Sequence, residues 1–219
     1  ERTWIHGNKA DRYGGGIYFT SSASGSMRNA IIEDNRAYFG GGMYAYKSTV
    51  SVMGGKLSGN EVTGSASSGG GCYFHTSIVA VERTWIHGNK AVGYGGGIYF
   101  SSSSSASMVN ASVEDNRAKY GGGGIALFGT STAHTAVNIT GCMIRANEKT
   151  FKYTKYENYG GGGLYLHYSV TVAIRESSLI NNDAAAFHGH QIFSYRNSSS
   201  EVPSVTIVNT KLWNADRCF

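Results

Sequence analysis

Apolar and polar positions recur along this chain as a unit of about 27 residues. An apolar residue such as Ile86 is followed three positions later by asparagine, and a glycine-rich turn and a short apolar–aromatic segment complete the unit. Repeats of this length predict a solenoid or an array of small modules. The anchors, which lie 27, 25, 29, 27, 31 and 35 residues apart, are Asn8, Asn35, Asn60, Asn89, Asn116, Asn147 and Asn182.

A larger duplication lies on top of the short repeat. The sequence E-R-T-W-I-H-G-N-K-A occurs at residues 1–10 and again at residues 82–91. The pattern S-M-x-N-A at residues 26–30 likewise returns at residues 107–111. Both offsets are 81 residues, or three units of 27, which indicates that three units were duplicated as a block.

The apolar–aromatic segment of each unit predicts a short strand. Alternation along a strand turns Ile98 and Phe100 inward and Tyr99 outward. A coil of about 27 residues suits three short strands and three turns, and stacked coils bury a face that one coil cannot. The sequence therefore predicts an all-β parallel β-helix of about eight coils, forming one domain over residues 1–219. The predicted inward column is Ile17, Met43, Cys72, Ile98, Ile125, Leu164 and Ile192.

Asparagine and glycine have separate expected roles at the turns. Asparagine tolerates the left-handed conformation of a sharp corner, and its amide can bond to the asparagine of the next coil. Glycine lets the backbone turn, or pack where a side chain would clash. A β-propeller is the main alternative, but its blades need about 40–50 residues. The glycine motifs begin at Gly14, Gly40, Gly69, Gly95, Gly121 and Gly160, with a degenerate copy at Gly189.

These motifs resemble the repeats of the chlamydial polymorphic outer membrane proteins, in which G-G-x-I is paired with F-x-x-N. Residues 15–18, 41–44 and 96–99 look like the first motif. Residues 32–35 and 86–89 match the second, with isoleucine in place of phenylalanine. The resemblance implies a right-handed parallel β-helix, a secreted or cell-surface location, and an adhesive or structural role.

Composition and charge narrow the classes of function. The formal charge of +5 is dispersed, without the clustered basic footprint of a nucleic-acid-binding protein. No apolar run approaches the roughly 20 residues that a membrane helix needs, so we expect no direct membrane insertion. The chain begins inside a repeat without an initiator methionine, and we expect it to be part of a longer protein.

Cysteine usage predicts no metal site, and we expect no cofactor. The three cysteines lack a C-x-x-C spacing, and Cys72 is expected to be a small buried apolar residue. Cys142 and Cys218 could form a disulfide bond, which the sequence leaves open. The N-x-S/T sequons, which weakly favour secretion, are at Asn110, Asn138 and Asn197.

Three groups of residues are candidates for chemistry, and for each we favour a structural interpretation. His6/Glu33 and His87/Glu114 occupy equivalent positions on adjacent coils and could be acid–base pairs, but a surface ladder is the simpler explanation. Asn182-Asp183 followed by His188-Gly189-His190 is the nearest match to a polysaccharide hydrolase motif, but residues 188–192 are more simply a degenerate glycine motif. Charged residues that could pair between coils after each anchor are Lys9, Arg36, Glu61, Lys90, Arg117, Glu148 and Asp183.

Two aromatic features are candidates for binding. The insertion at residues 148–159 mixes Lys149, Lys152 and Lys155 with aromatic residues and could bind a glycan or an acidic partner. A stripe of outward aromatic side chains, expected to be exposed, could contact another protein chain or a glycan. The stripe consists of Tyr18, Tyr44, Tyr73, Tyr99, Tyr165 and Phe193, interrupted at Ala126. A second aromatic column nearby is Tyr13, Phe39, Tyr94, Tyr120, Tyr159 and Phe187.

The sequence thus predicts a non-enzymatic extracellular protein, either a rod in a surface or fibre assembly or an adhesin stalk. Its expected partners are other protein chains or flanking repeats of the same protein. The alternative is a β-helix that binds or cleaves polysaccharide.

Overall fold

A computed structural model describes residues 3–151, 160–184, 189–195 and 202–213. Its regular elements are short strands in chain order. The first thirteen are β1 Trp4–His6, β2 Ile17–Phe19, β3 Ser24–Arg28, β4 Ile31–Glu33, β5 Arg36–Ala37, β6 Met43–Tyr46, β7 Thr49–Met53, β8 Lys56–Ser58, β9 Glu61–Val62, β10 Cys72–His75, β11 Ile78–Glu82, β12 Trp85–His87 and β13 Lys90–Ala91. The others are β14 Ile98–Ser101, β15 Ser105–Val109, β16 Ser112–Glu114, β17 Arg117–Ala118, β18 Ile125–Phe128, β19 Thr135–Thr140, β20 Met143–Arg145, β21 Glu148–Lys149, β22 Leu164–His167, β23 Val170–Arg175, β24 Ser178–Ile180, β25 Ile192–Tyr195, β26 Ser204–Val208 and β27 Lys211–Trp213.

These strands form four parallel sheets that run along a solenoid. Sheet 1 has the order β1-β4-β8-β12-β16-β20-β24-β27, and sheet 2 has the order β2-β6-β10-β14-β18-β22-β25. Sheet 3 follows the order β3-β7-β11-β15-β19-β23-β26. The predicted all-β parallel solenoid is therefore confirmed. The expectation of three strands a coil was incomplete, because two-residue strands form a fourth sheet, β5-β9-β13-β17-β21.

The core lies inside the coils and is built from columns of similar side chains. The predicted column on sheet 2 is in register from Ile17 to Ile192. Met43, Ile98, Ile125 and Leu164 are fully buried in it. Cys72 is buried in the same column, as expected for a small apolar residue. Similar side-chain size within most of a column lets each coil fill the space above the last.

The left-handed corner residue is not the anchor asparagine, so this expectation was wrong. The positive φ angle belongs to the residue before each anchor, for example Gly88 at 64° and Asp115 at 53°. Ala146 takes the same conformation at 52°. This leaves the asparagine itself free to point its amide along the solenoid axis.

The glycine motifs combine a left-handed turn with close contact between coils. Gly95 has a φ angle of 63°, whereas a Cβ on Gly96 would lie 2.3 Å from the carbonyl oxygen of Gly123 in the next coil. In the two coils with four glycines, the turn begins at Gly122 and Gly161, one residue later than predicted. The backbones of adjacent coils therefore touch along this edge, where a side chain cannot fit.

Candidate functional site

The seven anchor asparagines form one continuous ladder through the solenoid. The Nδ2 of each of the first six donates to the Oδ1 of the asparagine in the next coil, over 2.9 Å from Asn89 to Asn116 and 2.9 Å from Asn147 to Asn182. The backbone N–H of each of these six also donates to that Oδ1, at 3.0 Å for Asn89. Asn182 donates instead to Gln191 Oε1 at 2.6 Å. The other four steps run from Asn8 to Asn35, from Asn35 to Asn60, from Asn60 to Asn89 and from Asn116 to Asn147.

From Asn35 to Asn182, each Nδ2 of the ladder makes a second hydrogen bond, to a backbone carbonyl oxygen. The Nδ2 of Asn89 donates to the carbonyl oxygen of Leu57 at 3.0 Å, and that of Asn116 donates to Ile86 at 3.0 Å. Both side chains are fully buried. An amide has two donor hydrogens and one acceptor oxygen, so these contacts satisfy it fully. The ladder is therefore a structural feature of the coil stack.

The predicted aromatic stripe is largely buried, so the expectation that it is exposed was wrong. Tyr44, Tyr99 and Tyr165 are buried, and Tyr73 and Phe193 are partly buried. Tyr18 alone of the six is exposed, at 47%, because its strand is the edge of sheet 2. The stripe thus lacks the continuous surface on which its role as an interaction site depended.

These side chains point out of the main core into an outer aromatic cluster. Tyr99 packs at right angles to Tyr73, with ring centroids 4.7 Å apart. Phe128 fills the interruption at Ala126, because its ring lies 5.1 Å from Tyr99 and 5.5 Å from Tyr165. The cluster consists of Tyr73, Tyr94, Tyr99, Ala126, Phe128, Tyr165, Phe193 and Tyr195. Burial raises the pKa of the Tyr99 hydroxyl well above its ordinary value.

The second aromatic column covers the stripe, as far as the structure describes it. Tyr13 lies 4.7 Å from Tyr44, and Phe39 lies 5.7 Å from Tyr73. Tyr94 and Tyr120 also contact each other, at 5.7 Å. Tyr159 and Phe187 lie outside the described residues.

The charged residues after the anchors lie in register along sheet 4 and its extensions. Arg36 pairs with Glu61 at 3.4 Å, and Arg117 pairs with Glu148 at 2.9 Å. Lys90 lies opposite Glu61 in the strand register. The remaining bridges join Lys9 to Arg36 and Glu148 to Asp183. Exposed pairs of this kind contribute at most about 1 kcal/mol each.

Histidine and glutamate lie on adjacent coils of sheet 1, where His6 is in register with Glu33 and His87 with Glu114. Each histidine stacks under a tryptophan of its own strand, which sequence reasoning did not anticipate. The ring centroids of Trp4 and His6 are 4.1 Å apart. The sequence signal that could have revealed this stacking is W-I-H, which occurs at residues 4–6 and again at residues 85–87.

Each glutamate of this face is held by a neighbouring cation. Lys56 donates to Glu33 at 3.1 Å, and this bond lowers the pKa of Glu33. Burial raises the pKa of Glu114, but hydrogen bonds from Ser112 and Arg145 outweigh it and lower the pKa overall. Both carboxylates are thus stabilised in the ionised form, which suits ion pairing and not general acid catalysis.

His87 lies beneath Trp85, with ring centroids 3.8 Å apart, and its Nε2 is buried without a hydrogen-bond partner. Burial lowers the pKa of His87, and the charge of Lys56 adds to this effect. The imidazole is therefore held neutral as a stacking ring.

The hydrolase-like motif coincides with a copy of the glycine turn. Gly189 has a φ angle of 50°, and Ile192 lies in register with Leu164. His190 Nδ1 accepts a hydrogen bond from the Ala184 N–H at 3.1 Å and lies 3.2 Å from Asp183. His188 lies outside the described residues.

Lys149, at the start of the insertion, was predicted to be part of a possible binding surface, but it is buried. Its side chain occupies the inward position of sheet 4, in register with Ala118, and burial lowers its pKa. A buried ammonium cannot contact a glycan, so this residue does not belong to a binding surface. Lys152 and Lys155 lie outside the described residues.

A buried serine–histidine contact also escaped sequence reasoning. His75 Nδ1 lies 3.1 Å from the Ser101 hydroxyl, which donates to Tyr73 at 3.3 Å. Ser101 is 4% exposed, and the His75 ring stacks on Tyr46 at 5.3 Å. These contacts extend the outer aromatic cluster.

Two of the three predicted glycosylation sites lie within the described residues. Asn110 and Asn138 are exposed, the first at a left-handed corner and the second in the middle of β19. Asn197 lies outside the described residues.

Cys142 is free and buried, with its thiol donating to the Thr140 carbonyl at 3.4 Å. Cys218 also lies outside the described residues.

Within the described ranges, the structure contains no helix that could cross a membrane. The same residues include no group of three or more His, Cys, Asp or Glu side chains that could hold a metal ion.

Repeated parallel coils, closed by inward columns and a buried asparagine ladder, define a parallel β-solenoid protein. The sequence matches the model of the right-handed β-helix region over residues 1–218, and the chain belongs to that family. Searches of curated proteins and of solved structures found no match.

Proposed function

We propose that this chain is a structural repeat protein that forms a rod in a surface or fibre assembly, or an adhesin stalk. The observation that carries the proposal is the unbroken asparagine ladder from Asn8 to Asn182, which ties every coil it crosses to the next. Eight strands in sheet 1, about 4.8 Å apart, span about 34 Å. Such a stack transmits load along its axis through hydrogen bonds in every sheet.

The carboxylates of sheet 1 support a structural role over catalysis. Glu33 and Glu114 each bond to a cation of the following coil, so they stabilise the stack as ions. Arg36 and Arg117 make similar pairs along sheet 4. Charged side chains that are already paired between coils serve the rod itself.

The terminal coils support partners that are themselves β-helical. Ile207 and Leu212 occupy inward columns, yet they are 41% and 46% exposed. A partly exposed apolar coil edge fits another coil in register. The partner of this edge is a flanking repeat of the same protein or another chain.

A secreted or cell-surface location accompanies the proposal. The sequons at Asn110 and Asn138 both present an exposed asparagine, which is accessible to a glycosylating enzyme.

Two measurements test this function. Antibodies against the chain should label intact cells that express the native protein, and electron microscopy of the native protein should show rods or fibres. Labelling that requires permeabilisation would contradict the location. Release of reducing ends or unsaturated products from a polysaccharide by the purified chain would replace the structural role with an enzymatic one.

A further inference from the structure

The outer face of sheet 1 carries two copies of one aromatic platform. Each platform consists of an exposed tryptophan, the histidine stacked beneath it, and a glutamate on the next coil. The first contains Trp4, His6 and Glu33, and the second contains Trp85, His87 and Glu114. We propose that the two platforms together bind one neutral glycan chain that lies along the solenoid axis, independently of the rod function.

Each tryptophan is exposed and yet held in place. Trp4 is 59% exposed and Trp85 is 45% exposed. The indole nitrogen of Trp4 donates to Glu33 at 2.7 Å, and Trp85 is held by its stacking on His87, with ring centroids 3.8 Å apart. A ring fixed by such contacts loses little conformational freedom when a ligand covers it. Such a surface binds more tightly than a mobile side chain of the same area.

The two platforms are in register along the axis. The strand order β1-β4-β8-β12 places Trp4 and Trp85 three coils apart in one column, with Ile31 and Lys56 between them. Three coil steps of about 4.8 Å separate the rings by about 14 Å. Two equal platforms at a fixed distance suit an extended ligand that repeats itself, because both can contact the same chain.

Charge balance at the platforms points to a neutral ligand. Lys56 neutralises Glu33, and Arg145 neutralises Glu114 at 2.8 Å. The paired side chains still carry hydrogen-bonding atoms at the edge of each indole. A sugar ring matches this arrangement, since its C–H face stacks on an aromatic ring and its hydroxyl groups bond to polar groups around it.

A protein partner fits this face less well. The Lys56–Glu33 ion pair lies between the two tryptophans and divides the apolar surface. A stable protein interface needs about 1,000 Å² with an apolar centre. Two separate rings with polar groups between them instead suit a thin ligand that touches each ring in turn.

Comparison of the duplicated blocks supports a role for these side chains. The tryptophan, histidine and glutamate are identical in both copies, as are other exposed residues such as Lys9 and Arg36, whereas Asp11 corresponds to Val92 and Arg28 to Val109. None of the platform side chains points into the main core.

Affinity electrophoresis tests the proposal with gels that contain hydroxyethyl cellulose, galactomannan, xyloglucan or polygalacturonate. At least one neutral polymer should retard the protein. The double variant Trp4→Ala/Trp85→Ala should bind at least tenfold more weakly, and each single variant should lose part of this affinity because the sites act together. The matched control is Trp213→Ala, which removes another exposed tryptophan of sheet 1 and should leave binding unchanged.

Several outcomes would overturn the proposal. They are retardation by none of the neutral polymers, retardation by polygalacturonate alone, equal binding by the double variant, or an equal loss in Trp213→Ala. Sedimentation of the same variants tests protein contact. If the wild-type chain self-associates and the double variant does not, the platforms join protein chains and the glycan proposal fails. Trp4→Phe/Trp85→Phe retains ring stacking, so it should keep more affinity than the alanine variant.

Discussion

At the residue scale, each corner of the solenoid depends on two residues: the one before the anchor turns the backbone, and the anchor asparagine bonds to the neighbouring coils. Gly88 supplies the left-handed turn, and the Asn89 side chain makes four hydrogen bonds to three residues of the two neighbouring coils. A buried polar group in a fully bonded network stabilises the fold, but the same group without partners is costly. The position before the anchor needs only the turn, so glycine, aspartate and alanine all serve there.

Replacement of Asn89 by alanine should lower the free energy of unfolding by about 3 kcal/mol. The change removes the acceptor of the Asn60 backbone N–H and of one hydrogen of the Asn60 Nδ2 in a buried site, each at a cost of about 1–3 kcal/mol. Urea denaturation measures the loss. Asn138→Ala is the control, because Asn138 is exposed and its variant should differ by less than about 0.5 kcal/mol. Equal stability of the two variants would refute the energetic role of the ladder.

His167 should make stability depend on pH. Burial against Phe128 and Tyr195 lowers its pKa to about 4, from about 6.5 in an unfolded chain. The unfolded state therefore binds a proton at higher pH than the folded state, and stability falls as pH drops from about 6.5 to 4. His167→Phe keeps the ring stack, so its melting temperature should fall less between pH 7 and 4. Parallel curves for both proteins would show that His167 contributes nothing to the pH dependence.

At the element scale, the glycine turn sets how closely two coils approach. Three consecutive glycines have different tasks, because Gly95 turns the chain while Gly96 and Gly97 lie against the backbone of the next coil. A side chain at Gly97 would lie 2.7 Å from the carbonyl oxygen of Gly124. The parallel hydrogen bonds on both sides of the turn require this approach.

Alanine at Gly96 should destabilise the chain by about 3 kcal/mol or more, since its Cβ would meet two backbone oxygens of the next coil at 2.3 and 2.5 Å. Gly88→Ala is a matched control in the same coil. Its Cβ would have 3.9 Å to the nearest atom, so only the left-handed conformation costs energy, about 1 kcal/mol. Thermal melts should rank the two variants in this order, and the reverse order would contradict close packing at the turn.

At the scale of the whole molecule, stability is distributed among like interfaces between coils. Each coil contacts its neighbours through the same sheets, so the stack resembles a one-dimensional array. The block duplication keeps this arrangement because three whole coils preserve the register of every column. Sheet 1 therefore places residues 4 and 85 in one column despite their distance in sequence.

Deletion of residues 14–94 should leave a shorter β-helix that still unfolds cooperatively. The deletion removes 81 residues, or three coils, and joins Tyr13 to Gly95 as Tyr94 is joined in the intact chain. Its melting temperature should fall because fewer interfaces remain. Circular dichroism should show a native strand signal and a cooperative melt for the deletion variant, and loss of the native strand signal would contradict a stack of equivalent coils.

The sequence by itself determined the features that repeat. The spacing of Asn8, Asn35 and Asn60 located the ladder, and alternation around Ile98 placed the inward column, because identical coils put identical positions above one another. The register of Cys72 with its larger neighbours follows from the same rule.

Tertiary structure decided what covers the outside of the coils and which residue bends the corner. Alternation turned Tyr99 outward, but whether an outward ring is exposed depends on Phe128 from the next coil, and no local pattern shows this contact. The burial of Lys149 likewise follows from its register with Ala118, although its neighbours in sequence are polar and aromatic. Stacking of Trp85 on His87 arises from side-chain conformation, which a sequence pattern does not specify. Burial is a property of neighbouring coils, whereas the repeat reports only the position within one coil.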